Sequence, residues 1–269
     1  MAVLTAPHPA AGASAGPGML VERNLMIYRH TWALLVAEVF EPVLYLVSIG
    51  IGIGQLVGRV PGLGGPSGAD VPYSAFVAPA LLATAAMNGA MNETTFNMFS
   101  KLRTNHTYDS ILATPMTVRD VAFGEVLWAL LRGTLVTTGF LGVVTALGLA
   151  HSPWILLVVP GAALVGFAFA AAGLAVVTYL RSWQDFQFIQ LAMLPMFLFA
   201  TTFYPLGVYP RWIQVVVECL PLYQSIELIR QPALGEIGPG LLLPVVYLLL
   251  MGLIGLRIAL PRMQRVLLH

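Results

Sequence analysis

Charge is scarce in this chain. Only 9% of its 269 residues are Asp, Glu, Lys or Arg, where an average soluble domain carries about a quarter. With 58% hydrophobic residues and a mean hydropathy of +0.83, its surface suits lipid better than water. Lysine occurs once, at Lys101, and Leu102 follows it. A phosphate-binding P-loop needs a Gly-rich turn ending in Lys-Ser/Thr, so the chain has no Walker-type site. Cys219 is the single cysteine, which excludes an intramolecular disulfide and a cysteine-rich metal site. The five histidines (His8, His30, His106, His151, His269) are far apart and form no His-Glu-x-x-His helix, so no metal ligand set is expected. A net charge of +1 leaves no basic face for nucleic acid.

The motifs that do match are weak. Gly12-Ala13-Ser14-Ala15-Gly16 has the form of a nucleophile elbow, but it lies in an Ala/Gly-rich stretch in which neither the strand before it nor the helix after it that an elbow needs is readable. Gly50, Gly52 and Gly54 lie in a hydrophobic run, without the third glycine or βαβ context of a nucleotide fingerprint. No catalytic residues are assigned.

Long apolar runs dominate what is present. At about 20 residues per crossing, six spans are expected: Trp32–Val57, Tyr73–Phe99, Val121–Ala150, Pro153–Leu180, Phe186–Tyr204 and Pro239–Leu260. Residues 1–19, rich in Ala, Gly and Pro, are expected to be a disordered tail, with one six-span transmembrane domain over 20–269. An even span count puts nine of the thirteen Lys and Arg residues on one side, among them Arg23, Lys101, Arg181 and Arg265. The positive-inside rule makes that side, with both termini, cytoplasmic.

Two connecting stretches carry structure. In Ser100–Asp120, Asn105 or Thr107 can cap a short helix through Leu112 that Thr114-Pro115 ends, and Thr117 with Asp120 forms a capping-box pattern. That short helix lies across the cytoplasmic mouth and is shaped to press against a soluble partner. In Pro205–Gly238, Pro210 starts an amphipathic helix, Leu220-Pro221 breaks it, and a second short helix covers Leu222–Ile229. Both are expected to dip re-entrantly into the outer interface. Leu20–Thr31 reads as an interfacial helix ahead of the first span.

Intramembrane charges are costly and mark sites to inspect. Glu38, Glu41, Glu93 and Glu125 sit near the inner interface, where Arg29, Arg103 or Arg119 can pair with them, or they line a polar or proton path. Arg132 is deeper. Glu125 lies two turns away on the same helix, so a carboxylate on another helix, a lipid headgroup or a substrate are its open partners. Gly50, Gly54 and Gly58 recur every fourth residue and give a close-packing face, within the subunit or across a dimer. Tyr45, Phe199, Phe203 and Tyr204, with Arg132, are candidates for a substrate path, although an aromatic belt at the outer interface explains the rings equally.

Three blocks in order resemble the permeases of type-2 ABC exporters, in the branch of nodulation-factor (lipo-oligosaccharide) and daunorubicin-type drug export. They are Glu41-Pro42-Val43-Leu44-Tyr45-Leu46 with the glycines after it, Thr107–Met116, and Tyr204-Pro205-Leu206 with Pro210-x-Trp212 and Leu220-Pro221-Leu222. The resemblance runs from about Asn24 to Arg265. It implies an all-α, six-span membrane protein that forms a dimer with a second copy or a related permease. Each subunit would engage a separate ATPase subunit, which binds ATP and Mg. It casts Tyr108, Asp109, Ile111, Leu112, Thr114 and Pro115 as the coupling segment docked on that ATPase. Cargo would be a lipid, glycolipid, lipid-linked saccharide or amphipathic drug leaving across the bacterial cytoplasmic membrane. A proton-coupled carrier is the competing class. It wants a mid-membrane carboxylate and often an internal repeat, and the sequence displays neither.

Overall fold

The computed structural model describes residues 16–30, 32–64, 69–105, 107–149 and 152–268. Helix α1 (Pro17–Tyr28) begins with proline in its first turn, where a missing N–H leaves nothing unpaired. It starts inside the stretch assigned to the tail, and residues 1–15 lie outside the described residues, as do His8, His106, His151 and His269. Leu20 seats α1 on α6 (Val118–Ala146) at Gly124, where an added Cβ would lie 2.9 Å from the Leu20 Cβ and 3.1 Å from the Pro17 carbonyl.

The first apolar run is one continuous helical rod. Helix α2 (Trp32–Tyr45) widens into π-helical turns over Leu46–Ile53 and narrows again into α3 (Gly54–Val57). Its bounds are those expected from hydropathy. Gly50 and Gly54 face the start of α4 (Tyr73–Asn92), at 3.6 Å from Ser74 and 3.8 Å from Tyr73 for a notional Cβ. Gly58 serves differently: its φ of +71° ends the rod in a conformation that glycine adopts without strain. The chain then makes a hairpin that the sequence reading missed, with β1 (Arg59–Gly64) antiparallel to β2 (Ala69–Pro72) and Val60 opposite Val71.

Helix α4 is enclosed on nearly every side, from Tyr73 through Met91. It continues in wide π-helical turns over Glu93–Asn97 and Ser100–Thr104. The short α5 (Thr107–Leu112) follows. The expected capping box then opens α6: Asp120 N–H donates to the Thr117 hydroxyl and Thr117 N–H to the Asp120 carboxylate, at 3.3 and 2.9 Å.

Helix α7 (Val158–Val177), entered through a 3-10 turn at Pro153–Leu157, lies at the centre of the bundle. It contacts α4, α6, α10 (Pro221–Leu234) and α11 (Leu242–Leu268). Its Ala/Gly-rich surface lets backbones approach closely, as small residues do between helices in lipid. A Cβ on Gly255 of α11 would meet the Ala171 backbone at 2.8 Å.

Five helical runs among the described residues are long and apolar enough to cross a bilayer: Leu35–Val57, Tyr73–Thr104, Val118–Ala146, Pro153–Val177 and Pro239–Leu268. The expected fifth segment, Phe186–Tyr204, is shorter. Helix α8 covers Phe186–Phe199, about 21 Å at 1.5 Å per residue, against a hydrocarbon core of about 30 Å. It ends where Thr201 takes a φ of +62°. A four-ring cluster ties the start of α8 to the end of α4, with Trp183 4.9 Å from Phe99 and Phe186 5.6 Å from Phe96 between centroids.

After α8, helix α9 (Arg211–Glu218) and α10 are separated at Leu220-Pro221, where the sequence reading placed the break. Helix α10 runs five residues beyond the expected Ile229 and turns its Leu222, Ile226 and Ile229 into the core beside α4 and α7. Gly235, at φ +87°, terminates it.

Candidate functional site

Helices α2, α4, α6 and α8 enclose a cleft of ≈380 Å³. Most of its polar lining comes from Glu38 and Glu41 of α2, Asn88 and Asn92 of α4, Arg132 of α6 and Gln190 of α8. The rings of Tyr45 and Phe197 lie together on its wall at 6.3 Å. Pro42 also borders it and donates no N–H, so the Glu38 carbonyl one turn earlier loses its helical partner beside the cleft.

Arg132 is the pivot of the charges here. Its guanidinium is buried and pairs with Glu38 and with Glu93, on the first wide turn after α4. It also lies 5.0 Å from the Tyr28 ring of α1. Burial, with the Glu93 carboxylate nearby, pushes the Tyr28 hydroxyl up to about 12. Glu93 accepts further bonds from Asn97 at 2.8 Å and Lys101 at 3.5 Å. Lys101 bonds Glu125 of α6 at 2.7 Å, and Glu125 accepts from the Tyr108 hydroxyl at 2.9 Å.

These pairings correct the partners expected from sequence. Arg29, Arg103 and Arg119 were the expected counter-ions, whereas Arg132 holds Glu38 and Glu93, and Lys101 holds Glu125. The physical reason is cross-helix packing: α2, α4 and α6 bring the acids together in the interior. Of the three ways left open for Arg132, the structure places carboxylates of other helices against it.

The segment expected to dock a partner splits by exposure. Tyr108 is turned inward, and its burial beside Glu125 holds the hydroxyl well above its ordinary pKa, so it stays a donor. Ile111 and Leu112 rest on the core, while Asp109, Thr114 and Pro115 are exposed. The Thr114 hydroxyl bonds the Ile111 carbonyl at 2.6 Å and closes the end of α5.

The five residues expected along a substrate path fall into two groups. Tyr45 and Arg132 line the cleft, and Phe203 extends that wall through Phe197 at 5.3 Å. The Phe203 carbonyl also accepts a bond from Tyr73 at 3.0 Å. Phe199 and Tyr204 gather instead around Tyr209, at 6.2 and 5.4 Å, outside the cleft lining. The sequence reading missed Lys101, Asn88, Asn92 and Gln190. Lys101 had a usable signal, being the only lysine in the chain.

Long apolar helices joined by small-residue contacts, with ionic groups turned inward, define a multi-pass membrane protein of the permease kind. Comparison with known proteins narrows the class. The ABC-2 type transporter family matches residues 18–234, and the chain belongs to that family. It is similar to nodulation protein J of Sinorhizobium fredii (34% identity over 225 residues, 83% of each chain). It resembles nodulation protein J of Rhizobium leguminosarum bv. viciae equally (35% over 217 residues, 80% of each). The protein of that name from Azorhizobium caulinodans is 27% identical over 250 residues, covering 90% of this chain and 95% of the relative.

Proposed function

We propose that this chain is the membrane half of an ATP-driven exporter in the bacterial cytoplasmic membrane, with both termini cytoplasmic. A separate ATPase subunit, carrying ATP and Mg, docks on the exposed side of α5. A second copy or a related permease completes the transport path. The observation that carries this reading is the placement of α5. Its buried Tyr108 reaches into the bundle, its outer side is open, and the polar groups it joins lead to the cleft.

The cleft supports a cargo with a polyhydroxylated head. Amides and carboxylates offer both donors and acceptors, and the Tyr45 and Phe197 rings suit the flat faces of sugars or of an aromatic drug. A lipid, glycolipid, lipid-linked saccharide or amphipathic drug fits that description, with its apolar part left in the membrane.

The test is purification from native membranes in mild detergent, followed by mass spectrometry and an ATPase assay. A stoichiometric ATP-binding subunit is expected, and Ser110→Arg on the open side of α5 should remove it while the permease stays folded. Purification of the unaltered chain with no ATPase would defeat the reading.

A further inference from the structure

Six polar side chains form an unbroken line from α5 to the cleft. The Tyr108 hydroxyl donates to Glu125 at 2.9 Å, and Lys101 bonds Glu125 at 2.7 Å and Glu93 at 3.5 Å. Glu93 then pairs with Arg132, and Arg132 with Glu38 on the cleft wall. Apart from the Lys101–Glu93 contact, which lies within the extended α4 run, each of these contacts joins separate helices. Tyr108, Glu93 and Glu125 are at most 1% exposed, so water screens the attraction between these charges little.

Among the described ion pairs of this line, three carboxylates share two cations, so neither cation belongs to one acid alone. Lys101 is shared unequally, closer to Glu125 than to Glu93. Its ammonium is a point charge on a flexible stem, so it can pass between two acceptors more freely than a planar guanidinium can. When Lys101 moves toward Glu93, it competes with Arg132 for that carboxylate and frees Arg132 toward Glu38 and the cleft. When Lys101 returns to Glu125, Glu93 draws Arg132 back. The Tyr108 hydroxyl holds one oxygen of the Glu125 carboxylate, Oε1, while Lys101 holds the other, Oε2, so a displacement of α5 that pulls on Glu125 biases the choice.

We propose that Lys101 is a positioning residue that transmits movement of α5 to Arg132 and so changes the open face of the cleft. The proposal rests on reading α5 as the ATPase contact and the cleft as the cargo path.

Cys219 is the sole cysteine, so Cys219→Ser with Tyr45→Cys gives a single reporter in the cleft. Its labelling rate by a water-soluble maleimide is measured in the permease–ATPase complex, with and without ATP and vanadate. Nucleotide should alter the rate while Lys101 is present. Lys101→Met should cut that response about five-fold or more, the lower range of coupling between sites, with ATPase co-purification and basal hydrolysis retained. Lys101→Arg should keep most of the response, and Tyr108→Phe should lose part of it.

A full response in Lys101→Met, or an equal loss in Lys101→Arg, overturns the proposal. If Lys101→Met does not fold, an unaltered response in Tyr108→Phe overturns it. A reporter that ignores nucleotide with Lys101 and Tyr108 both intact removes the cleft from the path, which defeats the functional reading itself.

Discussion

Two arginines are buried in this bundle, and they are held in opposite ways. Arg132, on α6, meets carboxylates from two other segments and lies beside the Tyr28 ring. Arg230, on α10, bonds the Thr201 carbonyl at 2.7 Å and the Thr201 hydroxyl at 3.3 Å, and its guanidinium covers the Phe76 ring at 4.0 Å. Its one acid, Glu227, is 3.4 Å away on the same helix. Arg230 therefore clamps backbone. It fixes the turn after α8, where Thr201 holds a positive φ that a β-branched residue adopts only when its surroundings impose it. Arg132 instead clamps two charges, one of which, Glu93, has other partners beside it. One arginine sets a shape, and the other belongs to a set of ion pairs that can rearrange.

The sharpest way to break this contrast is Arg132→Met. It leaves Glu93, which is 1% exposed, with only Asn97 and the longer Lys101 contact, and leaves Glu38 without its cation. Removing one partner of a buried pair costs about 3–5 kcal/mol, so thermal unfolding in detergent should fall markedly and export should be lost. A near-normal melting temperature would show that the inner cluster is no more demanding than the outer clamp.

Arg230→Met should cost less, about 1–3 kcal/mol, for the unpaired Thr201 carbonyl. Because Arg230 lies outside the line from α5, the nucleotide response of the cleft should survive. Loss of that response with stability intact would erase the distinction between the two arginines.

The smallest effect is expected at Asp185, an exposed acid at the entry to α8. Hydrogen bonds from the Arg181 and Ser182 N–H groups hold its carboxyl below the ordinary range. A carboxyl lowered on folding contributes stability that is present above its unfolded pKa, about 4. That stability is lost as pH falls through the folded value. Asp185→Asn should therefore lower the melting temperature slightly at neutral pH, where that contribution is present, and flatten its dependence on pH below about 4. A neutral-pH loss as large as that of Arg132→Met would show that an exposed capping carboxylate matters as much as the buried cluster.

Much of the helical layout was legible because apolar run length and capping chemistry are local. Trp32–Val57 and the Thr117–Asp120 box are read directly from neighbouring residues. Helix α8 was overestimated because hydropathy counts Ala200 to Tyr204 as apolar or neutral, while the helix stops at the backbone turn centred on Thr201. The ionic partners were not legible, since they depend on which helix faces lie together. The wide turns at Glu93–Asn97 and Ser100–Thr104 also change the angular spacing on which face assignments rest. Tyr108 was placed correctly in a short helix, but its inward direction follows from Glu125, seventeen residues away.

The π-helical stretch at Leu46–Ile53 has a consequence for how such a permease diversifies. A wide turn of this kind is what one inserted residue leaves in an α-helix, and deleting one residue there would rotate the flanking halves by about 100° relative to each other. Glu38, Glu41, Pro42 and Tyr45 lie before this stretch, and the Gly54 contact with Tyr73 lies after it. Single-codon insertions or deletions there would thus re-aim one wall of the cleft while the far end of the rod keeps its seat, so the two ends of this helix can vary independently.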